Sequence, residues 1–137
     1  MNSLDISLRN DPAELKRLAG ILEEFGRQHR LGPRDVLALD LSLHEHLTNI
    51  INYGYDDTKP REIQIRLRLR DRLLHLEVED DARPFNPLER APVDTTVPLD
   101  QKPIGGLGIH IMRRSMDALE YRRDGARNIL TMRKRIA

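Results

Sequence analysis

Apolar and polar residues alternate near the start of this chain, then recur at helical spacing. Leu4, Ile6 and Leu8 alternate with Asp5, Ser7 and Arg9, which predicts a short half-buried strand. Asn10-Asp11-Pro12 reads as a helix start, with Asp11 as N-cap and Pro12 in the first turn. Leu15, Leu18, Ala19, Leu22 and Phe25 then mark an amphipathic helix to about His29, and Gly32-Pro33 breaks it. A second helix is predicted from Pro33 to about Asn52. Val36, Leu37, Leu39, Leu43, Leu47, Ile50 and Ile51 cover much of its circumference, so it should be buried on more than one side.

Strict alternation returns after the turn at Gly54 to Pro60. Ile63, Ile65, Leu67 and Leu69 form one apolar row, and Leu74, Leu76 and Val78 form the next. Asp71-Arg72 lies between them as a two-residue turn, which sets Arg66 opposite Glu77 and Ile65 opposite Val78. Parity then points Asp80 to the covered face and Asp81 away. From Ala82 to Ile104 periodicity fades and five prolines appear; such a stretch is either a lid over a ligand or a loose insertion. Gly105-Gly106-Leu107-Gly108 precedes a helix running to about Asp117, with Ile109, Ile111, Met112 and Met116 apolar. Leu119 to Arg123 and Asn128 to Arg135 predict a closing hairpin around Asp124-Gly125.

Composition narrows the class. The 137 residues are 39% hydrophobic and 33% charged, which fits one soluble globular domain spanning 1–137. A net charge of +1 gives no pull toward nucleic acid or an anionic membrane, and the terminal Arg133-Lys134-Arg135 reads as a solvated strand end. There is no cysteine, which excludes disulfides and thiolate zinc sites and suits a reducing cytoplasm. The first residues have no apolar core of a signal peptide, and no apolar run reaches membrane-spanning length.

Candidate chemistry begins in the second helix. Glu45 and Asn49 are spaced i, i+4 and share a face, in a stripe with Leu41 and Asn52. Alone, the pair reads first as a solvated stripe, or as Glu45 paired with a nearby arginine. His44 and His46 lie two apart and do not face each other, so they are no metal pair, and the zinc motif HExxH is absent. The glycine cluster at a helix start exposes backbone N–H groups to an anion, although alone it reads as a tight turn. Together the groups fit one nucleotide site. A carboxylate at Asp80 can accept from an exocyclic amine, and the Asn49 amide oxygen suits magnesium. The glycines suit phosphates, and Glu45 suits a general base.

These stretches resemble the GHKL (Bergerat-fold) ATPases. Glu45-x-x-x-Asn49 is similar to their N box, Asp80-Asp81-Ala82-Arg83-Pro84-Phe85-Asn86-Pro87 to their adenine box, and Gly105-Gly106-Leu107-Gly108-Ile109 to their second glycine box. The run HEHLTNIINYGY, PFNPLE, GGLGIHIM, RNILTMRKR resembles the short anti-sigma-factor serine kinases of the RsbW type. The resemblance implies an α+β two-layer sandwich, with a mixed, mostly antiparallel sheet covered on one face by about three helices. It implies ATP and Mg2+ as cofactors, with Asn49 on the metal and Glu45 as catalytic base. Asp80 would take the adenine amine, and Asn52, Ala82, Phe85, Gly105, Gly106, Leu107, Gly108 and Ile109 would complete the nucleotide site.

The implied activity is phosphorylation of a serine or threonine on a STAS-domain anti-anti-sigma protein. A sigma factor is a second partner such a kinase can hold, and a homodimer is left open. Two positions depart from the pattern: Ala82 stands for a glycine whose bareness lets backbone approach the base, and Asn86 stands for an aspartate. Ala82 favours an alternative, a non-catalytic nucleotide-sensing module that sequesters a partner. The histidine-kinase form DxGxG is absent.

Overall fold

The structure is a computed structural model and describes residues 2–89 and 106–136. Alternation builds strand β1 (Ser3–Arg9), with Ile6 and Leu8 buried and Asp5, Ser7 and Arg9 exposed. Helix α1 (Glu14–Gln28) starts at Glu14 rather than at Pro12. Asp11 does not cap the helix; its carboxylate accepts the Ala13 N–H at 3.0 Å in a local turn. The Glu14 carboxylate instead reaches back to the Arg9 N–H at 3.2 Å. Arg30, at φ 56°, turns the chain out of α1, and the Leu31 N–H closes on the Gly26 carbonyl at 2.8 Å.

Helix α2 (Pro33–Tyr53) packs against α1 on one side and the later helix α3 (Gly106–Ser115) on the other. It buries Leu39, Leu43, Leu47 and Ile50. Strands β2 (Glu62–Arg70) and β3 (Leu73–Asp80) form the expected hairpin, with Arg66 opposite Glu77 and Ile65 opposite Val78. Asp71 and Arg72 both have positive φ, 52° and 62°, the pair of left-handed residues that a two-residue hairpin of native twist needs. Strands β4 (Ala118–Asp124) and β5 (Arg127–Arg135) close the chain. Their turn residues are Gly125 and Ala126, one position later than expected, because Asp124 still pairs with Arg127. Gly125 supplies the left-handed φ of 58°.

The five strands lie in the order β1-β2-β3-β5-β4. The sheet is not mixed: every strand pair among the described residues is antiparallel. β3 and β4 do run the same way, but β5 lies between them and pairs with both. The inward rows of the sheet join Leu18, Leu22 and Phe25 of α1, the buried residues of α2, and Ile109 and Met112 of α3 in one apolar core. Fully burying such a side chain contributes about 1.5–3 kcal/mol. The opposite face carries ion pairs, among them Arg66–Glu77 at 2.9 Å and Arg127–Glu79 at 3.4 Å.

Candidate functional site

Leu74, Leu76, Val78 and Asp80 all point to the covered face, so an acid ends an apolar row. Asp80 is 1% exposed. Antiparallel pairing of β3 with β5 brings Asn128 directly opposite it. Asn128 Nδ2 donates to Asp80 Oδ1 at 2.9 Å, and the Ala82 N–H donates to the same oxygen at 3.0 Å. Asp80 Oδ2 takes no hydrogen bond among the described residues. Burial pushes the Asp80 carboxyl above its usual range, while the bonds from Asn128 and Ala82 pull it down.

Asn128 is a hub that sequence reasoning missed. Its Nδ2 also donates to the Arg83 carbonyl at 2.9 Å, and its Oδ1 accepts from Arg123 Nη1 at 3.1 Å and from the Tyr121 hydroxyl. These bonds fix the start of the segment after β3 against the last hairpin. Asp81 points outward, as parity requires, and accepts from the Tyr55 hydroxyl at 2.8 Å.

A cavity of about 320 Å³ opens between α2 and these strand ends. His46, Asn49, Ile50 and Tyr53 line it from α2; Gly54, Asp80, Ala82, Arg83, Phe85 and Asn128 line the rest. Ala82 is 3% exposed, and its methyl is seated against Gly54. A Cβ built on Gly54 would lie 2.8 Å from the Ala82 Cβ and 2.5 Å from the Ile50 carbonyl oxygen. Gly54 thus supplies the space that Ala82 takes. The Gly54 carbonyl accepts from the Arg83 N–H at 3.1 Å, which ties the end of α2 to the same segment.

Glu45 and Asn49 meet as their spacing predicts: Asn49 Nδ2 donates to Glu45 Oε1 at 3.4 Å. Asn49 lines the cavity and Glu45 stands beside it, outside the lining. The bond uses an N–H of the Asn49 amide, so Oδ1 is the atom open to a hard cation. No group of three His, Cys, Asp or Glu among the described residues could hold a metal ion by itself. As an amide oxygen, Asn49 Oδ1 is of the hard-donor type that suits magnesium.

Other expected residues lie elsewhere. Asn52 is exposed and lines a separate groove with Lys16, Asp40 and His44, because it is turned round α2 away from the face of His46, Ile50 and Tyr53. Ile109 is 2% exposed within the apolar core. Gly106, Leu107 and Gly108 form the first turn of α3, and Gly105 lies outside the described residues. So do residues 90–104 of the stretch read as either a lid or a loose insertion; Phe85 is half-buried in the cavity wall.

The family model described as a histidine kinase-like ATPase domain matches residues 8–134. The chain is 30% identical over 111 residues to the serine/threonine-protein kinase BtrW of Bordetella bronchiseptica, covering 81% of this chain and 78% of that protein. It is 26% identical over 117 residues to the serine-protein kinase RsbW of Bacillus thuringiensis, covering 82% of this chain and 70% of that one. In fold it is similar to the crystal structure of the RsbU and RsbW domains of a Mycobacterium tuberculosis protein. There the TM-score is 0.71 at 14% identity, over 98% of this chain and 32% of that longer one. A blue-light activated histidine kinase domain from Erythrobacter litoralis gives a TM-score of 0.57 at 19% identity, over 91% of this chain and 60% of that one.

Proposed function

The chain belongs to the histidine kinase-like ATPase family, and from that premise we propose that it is an ATP-dependent serine/threonine protein kinase. Its substrate in this reading is a STAS-domain anti-anti-sigma protein, its second partner is a sigma factor, and it works in the cytoplasm. Among the described residues no helix is long and apolar enough to cross a membrane. The names of the relatives, serine/threonine-protein kinase and serine-protein kinase, support this chemistry.

The single observation that carries the reading is the carboxylate of Asp80. One oxygen is fixed by Asn128 and Ala82, and the other is open to the cavity. That oxygen accepts the exocyclic amine of adenine, a charge-assisted bond stronger than a neutral one. Phe85 and Ala82 wall the base. The Asn49 amide oxygen would hold a magnesium bound with the nucleotide, and that ion would supply neutralisation of phosphate charge. Glu45, held beside Asn49, takes the proton from the acceptor hydroxyl as it attacks the terminal phosphoryl group. The proton moves to Glu45 Oε, and ADP leaves.

Ala82 does not argue for a binding module without catalysis, since Gly54 makes room for its methyl. The test is mass spectrometry of a STAS-domain protein after incubation with Mg-ATP and either wild type or Glu45→Gln. The wild type should add one phosphate to the acceptor, and Glu45→Gln should slow this by about 10²–10⁴-fold with nucleotide affinity nearly unchanged. Equal rates would remove Glu45 as base. An inert wild type that captures its partner only with nucleotide bound would replace the kinase reading with sequestration.

A further inference from the structure

Leu37, Leu41, Glu45 and Asn49 follow one another at steps of four along α2. At 3.6 residues per turn each step drifts about 40° round the helix, so this ridge winds from one flank to another. Burial follows the drift: Leu37 is 55% exposed, Leu41 40% exposed, Glu45 half-buried, and Asn49 7% exposed in the cavity wall. Nucleotide takes the Asn49 flank in the proposed chemistry. An acceptor hydroxyl must then reach Glu45 from the other flank, over Leu41 and Leu37. Leu41 stands about 5–6 Å from Glu45 at Cβ, and Leu37 about 12 Å away along the axis.

The open side of α2 is built unlike that of α1. Past Arg34, the exposed residues of α2 are Leu37, Leu41, His44, Asn52 and Tyr53, with no carboxylate, lysine or arginine. Helix α1 exposes Lys16, Arg17, Glu23, Glu24 and Arg27, the charged face that solvent ordinarily selects. The core does not ask for leucine at 37 or 41, because Leu39, Leu43 and Leu47 fill it. Apolar surface without charge, leading to a reactive group, has the make-up of an interface centre. We propose that the ridge of Leu37 and Leu41 is the docking surface for the phosphoacceptor protein. It seats an uncharged apolar patch beside that protein's acceptor serine or threonine and so brings the hydroxyl to Glu45. This rests on the kinase reading of the site and adds where the protein substrate binds and what surface it must offer.

The test is the rate of phosphorylation of a STAS-domain protein against its concentration, at saturating Mg-ATP. Wild type is compared with the double variants Leu37→Gln/Leu41→Gln and Leu37→Met/Leu41→Met. Both side chains are exposed, and glutamine and methionine are good helix formers, so the fold survives the exchange. The glutamine variant should raise the acceptor's KM about tenfold, with kcat and Mg-ATP affinity nearly unchanged, because docking energy is lost equally before and during transfer. The methionine variant keeps an apolar ridge and should hold KM near that of wild type. An active wild type whose KM is unmoved in the glutamine variant overturns the docking surface and leaves the kinase reading standing. So does a wild-type dimer, seen by sedimentation, that the glutamine variant splits, since the ridge would then hold a second copy of this chain. Wild type that phosphorylates no acceptor overturns the kinase reading and this inference with it.

Discussion

Asp80 and Asn128 face each other across β3 and β5, and the 2.9 Å bond between them divides the work of one carboxylate. Oδ1 serves the fold, and Oδ2 is left to the cavity. Asn128→Ala removes the side-chain donor to Oδ1, leaving it the Ala82 N–H. The Arg83 carbonyl loses the same donor. Losing a partner to a buried polar group costs about 1–3 kcal/mol. Urea denaturation should show that loss, and Mg-ATP should bind more weakly as well. Unchanged values in both would mean that Asn128 does not hold Asp80.

Gly54 and Ala82 form a fitted pair. Gly54→Ala drives a methyl to 2.5 Å from the Ile50 oxygen and 2.8 Å from the Ala82 Cβ. Overpacking of this kind costs about 1–3 kcal/mol. Adding Ala82→Gly should return part of the loss, since it removes the second contact and leaves the first. A double-mutant cycle reads the coupling; strict additivity would separate the two positions.

His46 gives the fold a sensitivity to acid. Its folded value is about 4 against an ordinary 6.5, because burial disfavours the charged ring. Stability from the neutral ring is fully present above 6.5 and is lost as pH falls toward 4. The loss approaches about 3 kcal/mol over that window. Asp80, across the cavity with its carboxyl held high, works with the opposite sign. The difference between wild type and His46→Leu cancels that contribution. Thermal or urea unfolding between pH 7 and 4 should therefore show the wild type losing ground to the variant; parallel profiles would contradict a buried neutral ring.

Much of this was legible in residue order. Strict alternation from Ile63 to Val78 fixed the hairpin and, through parity, the inward turn of Asp80. The i, i+4 spacing brought Glu45 beside Asn49. Asn128 was hidden for two reasons. It lies second in a strand, next to the turn, where asparagine reads as a turn residue, and Ile129 blurs the alternation by being buried on the other face. Counting back from Met132 and Leu130 in steps of two would have found it. Gly54 was opaque because its role is a close approach from a segment almost thirty residues away, which no local pattern records. Asn52 stands in the neighbouring groove because the stripe read from helical spacing is wider than the wall of the cavity.

Nucleotide recognition by the open oxygen of Asp80 is the step on which the proposed function depends. Calorimetric titration of Mg-ATP into wild type and Asp80→Asn measures it directly. Replacing the carboxylate removes the charged acceptor and sets an amide against the Asn128 Nδ2. The expected result is saturable one-to-one binding to the wild type and an affinity about tenfold to a hundredfold lower for the variant. Equal affinity in the two proteins would contradict it.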